Sequence, residues 1–202
     1  MLQTARERES FAALLERVRA CRLCADHLPL GPRPVLQALP KARLLICGQA
    51  PGTKAHATAT PWNDASGDQL RAWLGLSREA FYDAERVALI GVGLCYPGRL
   101  KSGGDAPPRP ECAPLWHPLL RAALPALRLT LLVGSYAQAY YLGVAAKASV
   151  GATVRAYREY LPEFIPTPHP SWRTRGWLAR NRWFEAELLP ELRRRVEALV
   201  HG

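Results

Sequence analysis

The sequence predicts an α/β fold, a three-layer α/β/α sandwich around a central four-stranded parallel sheet, on three observations. Short apolar runs recur at residues 43–47, 87–94, 129–134 and 164–168, and helix-patterned sequence separates them. Each run ends in glycine, proline or a polar loop, which places the residues with chemistry at the strand ends. The chain has 202 residues and 49% hydrophobic composition, enough for a full core, with no internal repeat and no second core, so residues 1–202 are expected to form one domain.

Taken in order, residues 4–20 form an amphipathic helix with Phe11, Leu14, Leu15 and Val18 on one face, running into Cys21-Arg-Leu-Cys24. The proline-rich segment at residues 27–42 suits neither helix nor central strand and predicts an irregular surface wrap. The first strand, residues 43–47, breaks at Gly48 into the loop GQAPGTKAHATATPWNDASG, and a helix over residues 68–76 follows, capped near Ser66. The second strand, residues 87–94, ends at Cys95, and a glycine- and proline-rich loop closes on Cys112. A helix at residues 114–124, the third strand, a helix at residues 135–142 and a weaker fourth strand lead to His169-Pro170-Ser171. A charged amphipathic helix runs from Arg182 to the end.

The formal charge of +10, from 27 basic and 17 acidic residues, favours a polyanionic partner and points to nucleic acid. Only four of the basic residues are lysine, so an arginine-rich coding bias is the competing explanation. The start of the chain is charged and lacks a signal-peptide core, and no run approaches a membrane span; a cytoplasmic location and no membrane contact are expected. In such a reducing compartment the five cysteines act as ligands or buried thiols rather than disulfides. Cys47, inside an apolar strand, reads as a core residue. Cys21, Cys24, Cys95 and Cys112 have the spacing of a metal site, tetrahedral or cubane, with four unrelated thiols as the alternative.

These motifs together resemble the uracil-DNA glycosylase superfamily, specifically its iron–sulfur families 4 and 5. The resemblance runs from Cys21 to Ser171 and rests on GQAPG after a strand, the paired cysteines, the Cys95…Pro-Glu-Cys112 loop and His-Pro-Ser. It implies a structural 4Fe-4S cluster on Cys21, Cys24, Cys95 and Cys112, with zinc the alternative occupant. It further implies a DNA glycosylase acting on uracil or another deaminated base in single- or double-stranded DNA; no lysine stands in a recognisable Schiff-base motif, so a monofunctional enzyme is expected, and one small basic domain is expected to act as a monomer.

By the same resemblance Asp64, in Asp-Ala-Ser-Gly, is the carboxylate that orients water and stabilises the sugar cation, with helix capping as its bland role. His169 donates to the base oxygen as negative charge develops. Gln49 stands where family 4 has its catalytic glutamate and cannot act as a base, though its carboxamide could position base or water. Ala50, Pro51 and Gly52 line the base pocket, Trp62 stacks on the flipped base, and Ser171 belongs to the same second motif as His169. Trp172, Arg173 and Arg175 supply a loop for the duplex and its phosphates.

Gly91 occupies the position of the asparagine that reads uracil in family 4, which implies a pocket of broader or different specificity, hypoxanthine being one candidate. Gln49 and Gly91 also favour a rival function, a glycosylase-like protein that binds damaged DNA without hydrolysis. Hydrolysis of free nucleosides is disfavoured by the charge and by the arginines after His169.

Overall fold

The computed structural model describes residues 9–202. Helix α1 (Phe11–Arg19) starts at Ser10, whose hydroxyl oxygen accepts from the Ala13 N–H, and buries Leu14, Leu15 and Val18. The first part of the helix expected over residues 4–20 lies outside the described residues. After the proline-rich wrap come β1 (Leu44–Cys47), α2 (Thr53–Thr58), α3 (Ala65–Leu74), α4 (Arg78–Phe81) and β2 (Val87–Leu89). Helix α5 (Cys112–Ala122), β3 (Leu129–Val133), α6 (Ser135–Leu142), α7 (Val150–Arg155) and β4 (Phe164–Thr167) follow, and α8 (Arg175–Arg180) and α9 (Leu189–Val200) complete the chain.

The four strands pair in parallel in the order β2-β1-β3-β4. Leu44 lies opposite both Val87 and Leu129, and Thr130 lies opposite Phe164. β1, β2 and β3 are buried at every position, as a parallel sheet with both faces covered requires. Alternation along β1 sends Leu44 and Ile46 to one face, where Trp73 and Leu74 of α3 and Leu192 and Val196 of α9 complete a cluster. Leu45 faces the opposite layer with Leu14 and Val18 of α1 and Trp116 and Leu120 of α5. Cys47 is fully buried beside Leu132 and Ala137, so its reading as a core residue holds. Among the described residues no helix is long and apolar enough to cross a membrane.

Several boundaries differ from expectation, each for a local reason. The second strand ends at Leu89, not at residue 94, because the chain from Ile90 onward turns in against the loop after β1, with Val92 N donating to Gly48 O and Gly93 N to Gln49 O. Glycine suits this position: a Cβ at Gly93 would stand 3.3 Å from Ala50 Cβ of the β1 loop and 2.8 Å from Pro108 Cβ on the other side. Helix α3 begins three residues earlier than expected, and its cap is Asp64 rather than Ser66, because Asp64 has the extended backbone of an N-cap. Helix α5 opens at Cys112 and takes Pro114 into its first turn, where the missing N–H costs no helical bond. Before α9 the chain makes one π-helical turn over Phe184–Leu188, which buries both end residues.

Candidate active site

The C-terminal ends of β1, β2 and β4 surround one cavity of about 120 Å3, large enough for more than an ordered water. Ligands of open parallel sheets bind at this edge. Its lining brings together Gln49, Ala50, Pro51, Gly52, Trp62, Asp64, Gly91 and His169. Ser171 does not line it: its N–H turns back to the His169 carbonyl at 2.9 Å and helps fix that histidine's backbone.

Trp62 forms one wall in a conformation that few side chains adopt, with φ of 56°. Two glycines make room for it. A Cβ on Gly48 would stand 2.6 Å from the indole, and one on Gly67 would stand 1.8 Å from the Trp62 carbonyl oxygen. Tyr82 OH donates to the neighbouring Pro61 carbonyl at 2.9 Å, and the buried Arg71 lies beneath, paired with Asp68. Such strain persists only where the surroundings hold it, and it cocks the ring toward His169, whose centroid is 5.8 Å away.

Asp64 caps α3 through Oδ1, which accepts from Gly67 N at 2.9 Å. Its Oδ2 is directed at the cavity floor, 3.9 Å from where a Gly52 Cβ would sit. The capping role and the pocket role are therefore carried by different oxygens of one carboxylate. His169 packs over Gly134, and its carbonyl also accepts from Thr174 Oγ1 at 2.5 Å. Burial holds its imidazole below the ordinary value, with Asp64 pulling up and Arg173 pulling down. At neutral pH it is an uncharged ring with one N–H to donate.

Gln49 has a use that the sequence did not show. Its Nε2 donates to Ala106 O at 2.8 Å and ties the loop after Cys95 to the β1 loop. Gly91 cannot accommodate a side chain on this backbone, since a Cβ there would stand 2.8 Å from Gly93 O and 3.3 Å from Ala50 Cα. Its carbonyl accepts from Nε2 of the buried His117 at 2.9 Å, so Nδ1 accepts in turn from Tyr141 OH at 2.6 Å. The pocket wall at Gly91 is therefore backbone, braced from behind.

One acidic residue of the cavity was missed: Asp105, which sits at the rim. Burial of the carboxyl raises its pKa, against Arg99 and with Asp64. Its signal was weak, a single acid after Gly103-Gly104 in a loop without periodicity. Beyond the cavity Trp172 is 70% exposed, and the Arg173 guanidinium stacks over it at 5.3 Å. Arg173 also reaches over Gly104, where a Cβ would meet its Nη1 at 3.1 Å, so the loops after β4 and Cys95 meet across the mouth. Arg175 is exposed at the start of α8.

Cys21, Cys24, Cys95 and Cys112 line a second cavity together, walled by Leu28, Leu94 and Trp116. Leu94 N donates to Cys112 Sγ at 3.3 Å. Burial raises the Cys95 thiol to about 11 and the Cys112 thiol to about 12, and it raises Cys24 with help from Glu111. The four thiols thus line one apolar hollow whose burial disfavours the thiolate form. Among the described residues no group of three or more His, Cys, Asp or Glu side chains is arranged to hold a single metal ion.

A model of the Uracil DNA glycosylase superfamily matches residues 37–193. Among solved structures, the solution NMR structure of a uracil DNA glycosylase candidate from Methanosarcina acetivorans is similar at 18% identity and a TM-score of 0.45, covering 80% of this chain and 97% of that one.

Proposed function

Because this chain belongs to the Uracil DNA glycosylase superfamily, we propose that it is a monofunctional DNA glycosylase that hydrolyses the N-glycosidic bond of uracil or another deaminated base, the opening step of base-excision repair. The observation that carries this reading is the convergence of Asp64, Trp62, His169 and the GQAPG loop on one base-sized cavity at the strand ends.

A base within a duplex must leave the stack to enter such a cavity. Trp62 then offers an aromatic face, worth about 1–3 kcal/mol for a stacked base. As the bond breaks, the base gains negative charge and the sugar gains positive charge. Neutral His169 donates to the base oxygen, and the Asp64 Oδ2 stabilises the sugar cation. The Gly91 wall has no side chain to accept uracil and reject a purine, so selection rests on shape and backbone groups, and hypoxanthine becomes a reasonable substrate. Exposed Trp172 with Arg173 and Arg175, in a chain of net charge +10, is the surface we assign to the duplex. A monomer suffices for this chemistry.

The second reading, a protein that binds damage without cutting the bond, is favoured by Gln49, whose amide serves as a strut between loops. Labelled oligonucleotides carrying uracil, hypoxanthine, xanthine or thymine opposite guanine separate the two. The glycosylase yields breaks only after alkali, on at least one lesion; a folded, DNA-binding protein that yields none on any lesion is the binder.

We further propose a 4Fe-4S cluster on Cys21, Cys24, Cys95 and Cys112, a reading supported by the four cysteines lining one apolar cavity. Such a cluster would be structural, tying the turn after α1, the segment after β2 and the start of α5 to one centre. Protein purified without oxygen is expected to be coloured, with broad visible absorption that is lost in Cys112→Ala. Colourless protein containing zinc would assign the site to that metal.

A further inference from the structure

Asp105 stands apart from the other residues of the cavity. It comes from a small hairpin within the loop after Cys95, in which the backbones of Arg99 and Asp105 form an antiparallel bridge, Leu100 N donates to Gly104 O at 3.0 Å and Ala106 N donates to Gly98 O at 2.8 Å. The Gln49 amide holds this hairpin against the β1 loop. The result is a second carboxylate beside the first. Asp105 Oδ2 and Asp64 Oδ2 lie 3.6 and 3.9 Å from the same point, the place of the Cβ that Gly52 lacks. Any larger residue at position 52 would occupy the space between them.

The two carboxylates differ in what they have left to give. Asp64 has one oxygen committed to the α3 backbone and offers the other. Asp105 enters no ion pair among the described residues, although Arg99 and Tyr96 of its own loop, Arg173 after β4 and Asp64 at the α3 cap all face it.

Resting on the glycosylase reading, we infer that Asp105 accepts the proton of the attacking water while Asp64 faces the sugar cation. The step balances. The C1′–N bond breaks and its electron pair leaves with the base. The water oxygen bonds C1′, and the proton it sheds passes to Asp105 Oδ2 and then to solvent at the rim. Partial burial raises the affinity of Asp105 for that proton and so supports the assignment.

The test is single-turnover excision on a lesion that the wild type excises, with melting temperature and DNA affinity measured alongside. Asp105→Asn is expected to slow excision by about 10²-fold or more, with melting temperature and DNA affinity unchanged. Formate added to Asp105→Ala is expected to restore part of the lost rate, which a merely structural role would not allow. An active wild type with Asp105→Asn at full rate, or with an Asp105→Ala variant that formate does not rescue, overturns this inference alone. A wild type inert on every lesion overturns the glycosylase reading and this inference with it.

Discussion

Asp64→Asn is expected to lower base excision by about 10²- to 10³-fold while leaving DNA affinity and melting temperature close to wild type. The substitution isolates charge from shape. Asparagine is as good an N-cap as aspartate, so its carbonyl oxygen continues to accept from Gly67 N and α3 keeps its start. What disappears is the negative charge on the oxygen turned toward Gly52 and the cavity. The developing sugar cation needs that charge more than the ground state does, so the loss falls on the rate and not on binding. Single-turnover excision beside a DNA-binding titration measures both. Full activity in Asp64→Asn would reduce this residue to its capping role.

Gly67→Ala is expected to destabilise the protein by about 1–3 kcal/mol and to abolish most excision. The added Cβ would stand 1.8 Å from the Trp62 carbonyl oxygen and 2.7 Å from its carbon, both backbone atoms that no rotamer change can clear. Either α3 moves out or the Trp62 turn unwinds. Asp64 lies between the two, so both paths displace the carboxylate as well as the indole. The stability loss corresponds to a melting temperature lower by roughly 2–12 °C for a domain of this size. Thermal melting and excision read the two consequences. Unchanged melting would show that this contact does not hold the Trp62 turn in place.

Most of the fold is legible in the sequence because its strands are parallel and buried on both faces. The runs at Leu44, Val87 and Leu129 have no polar face to disguise them, and glycine marks the ends at Gly48 and Gly134. The sequence extends the second strand to residue 94 because residues 90–94 are as apolar as a strand, although they turn in against the β1 loop and only Gly91 reaches the cavity. Burial pattern does not distinguish the two; the close approaches at Gly91 and Gly93 do. The α3 cap was misplaced by two residues because Asp64 and Ser66 are both good caps, and only backbone conformation decides between them.

The candidate site was legible where short motifs carry it. Gln49 through Gly52, Trp62, Asp64, Gly91 and His169 all reach one cavity. Ser171 belongs to the same motif as His169 but supports it from outside. Asp105 was hidden because its place depends on the long-range bond from Gln49 to Ala106, which no local pattern announces. His117 was missed for the same reason: it acts through the Gly91 carbonyl, 26 residues away in sequence.

On the proposed function, this cavity breaks the bond between a damaged base and deoxyribose. The most direct test is the amount of free base released from lesion-bearing oligonucleotides under single-turnover conditions, set against the abasic sites formed in the same tubes. Free base and abasic sites are expected in equal amounts on at least one deaminated lesion, with the strand intact before alkali. Lesion-specific binding with no free base from any substrate, at protein in excess over DNA, would contradict it.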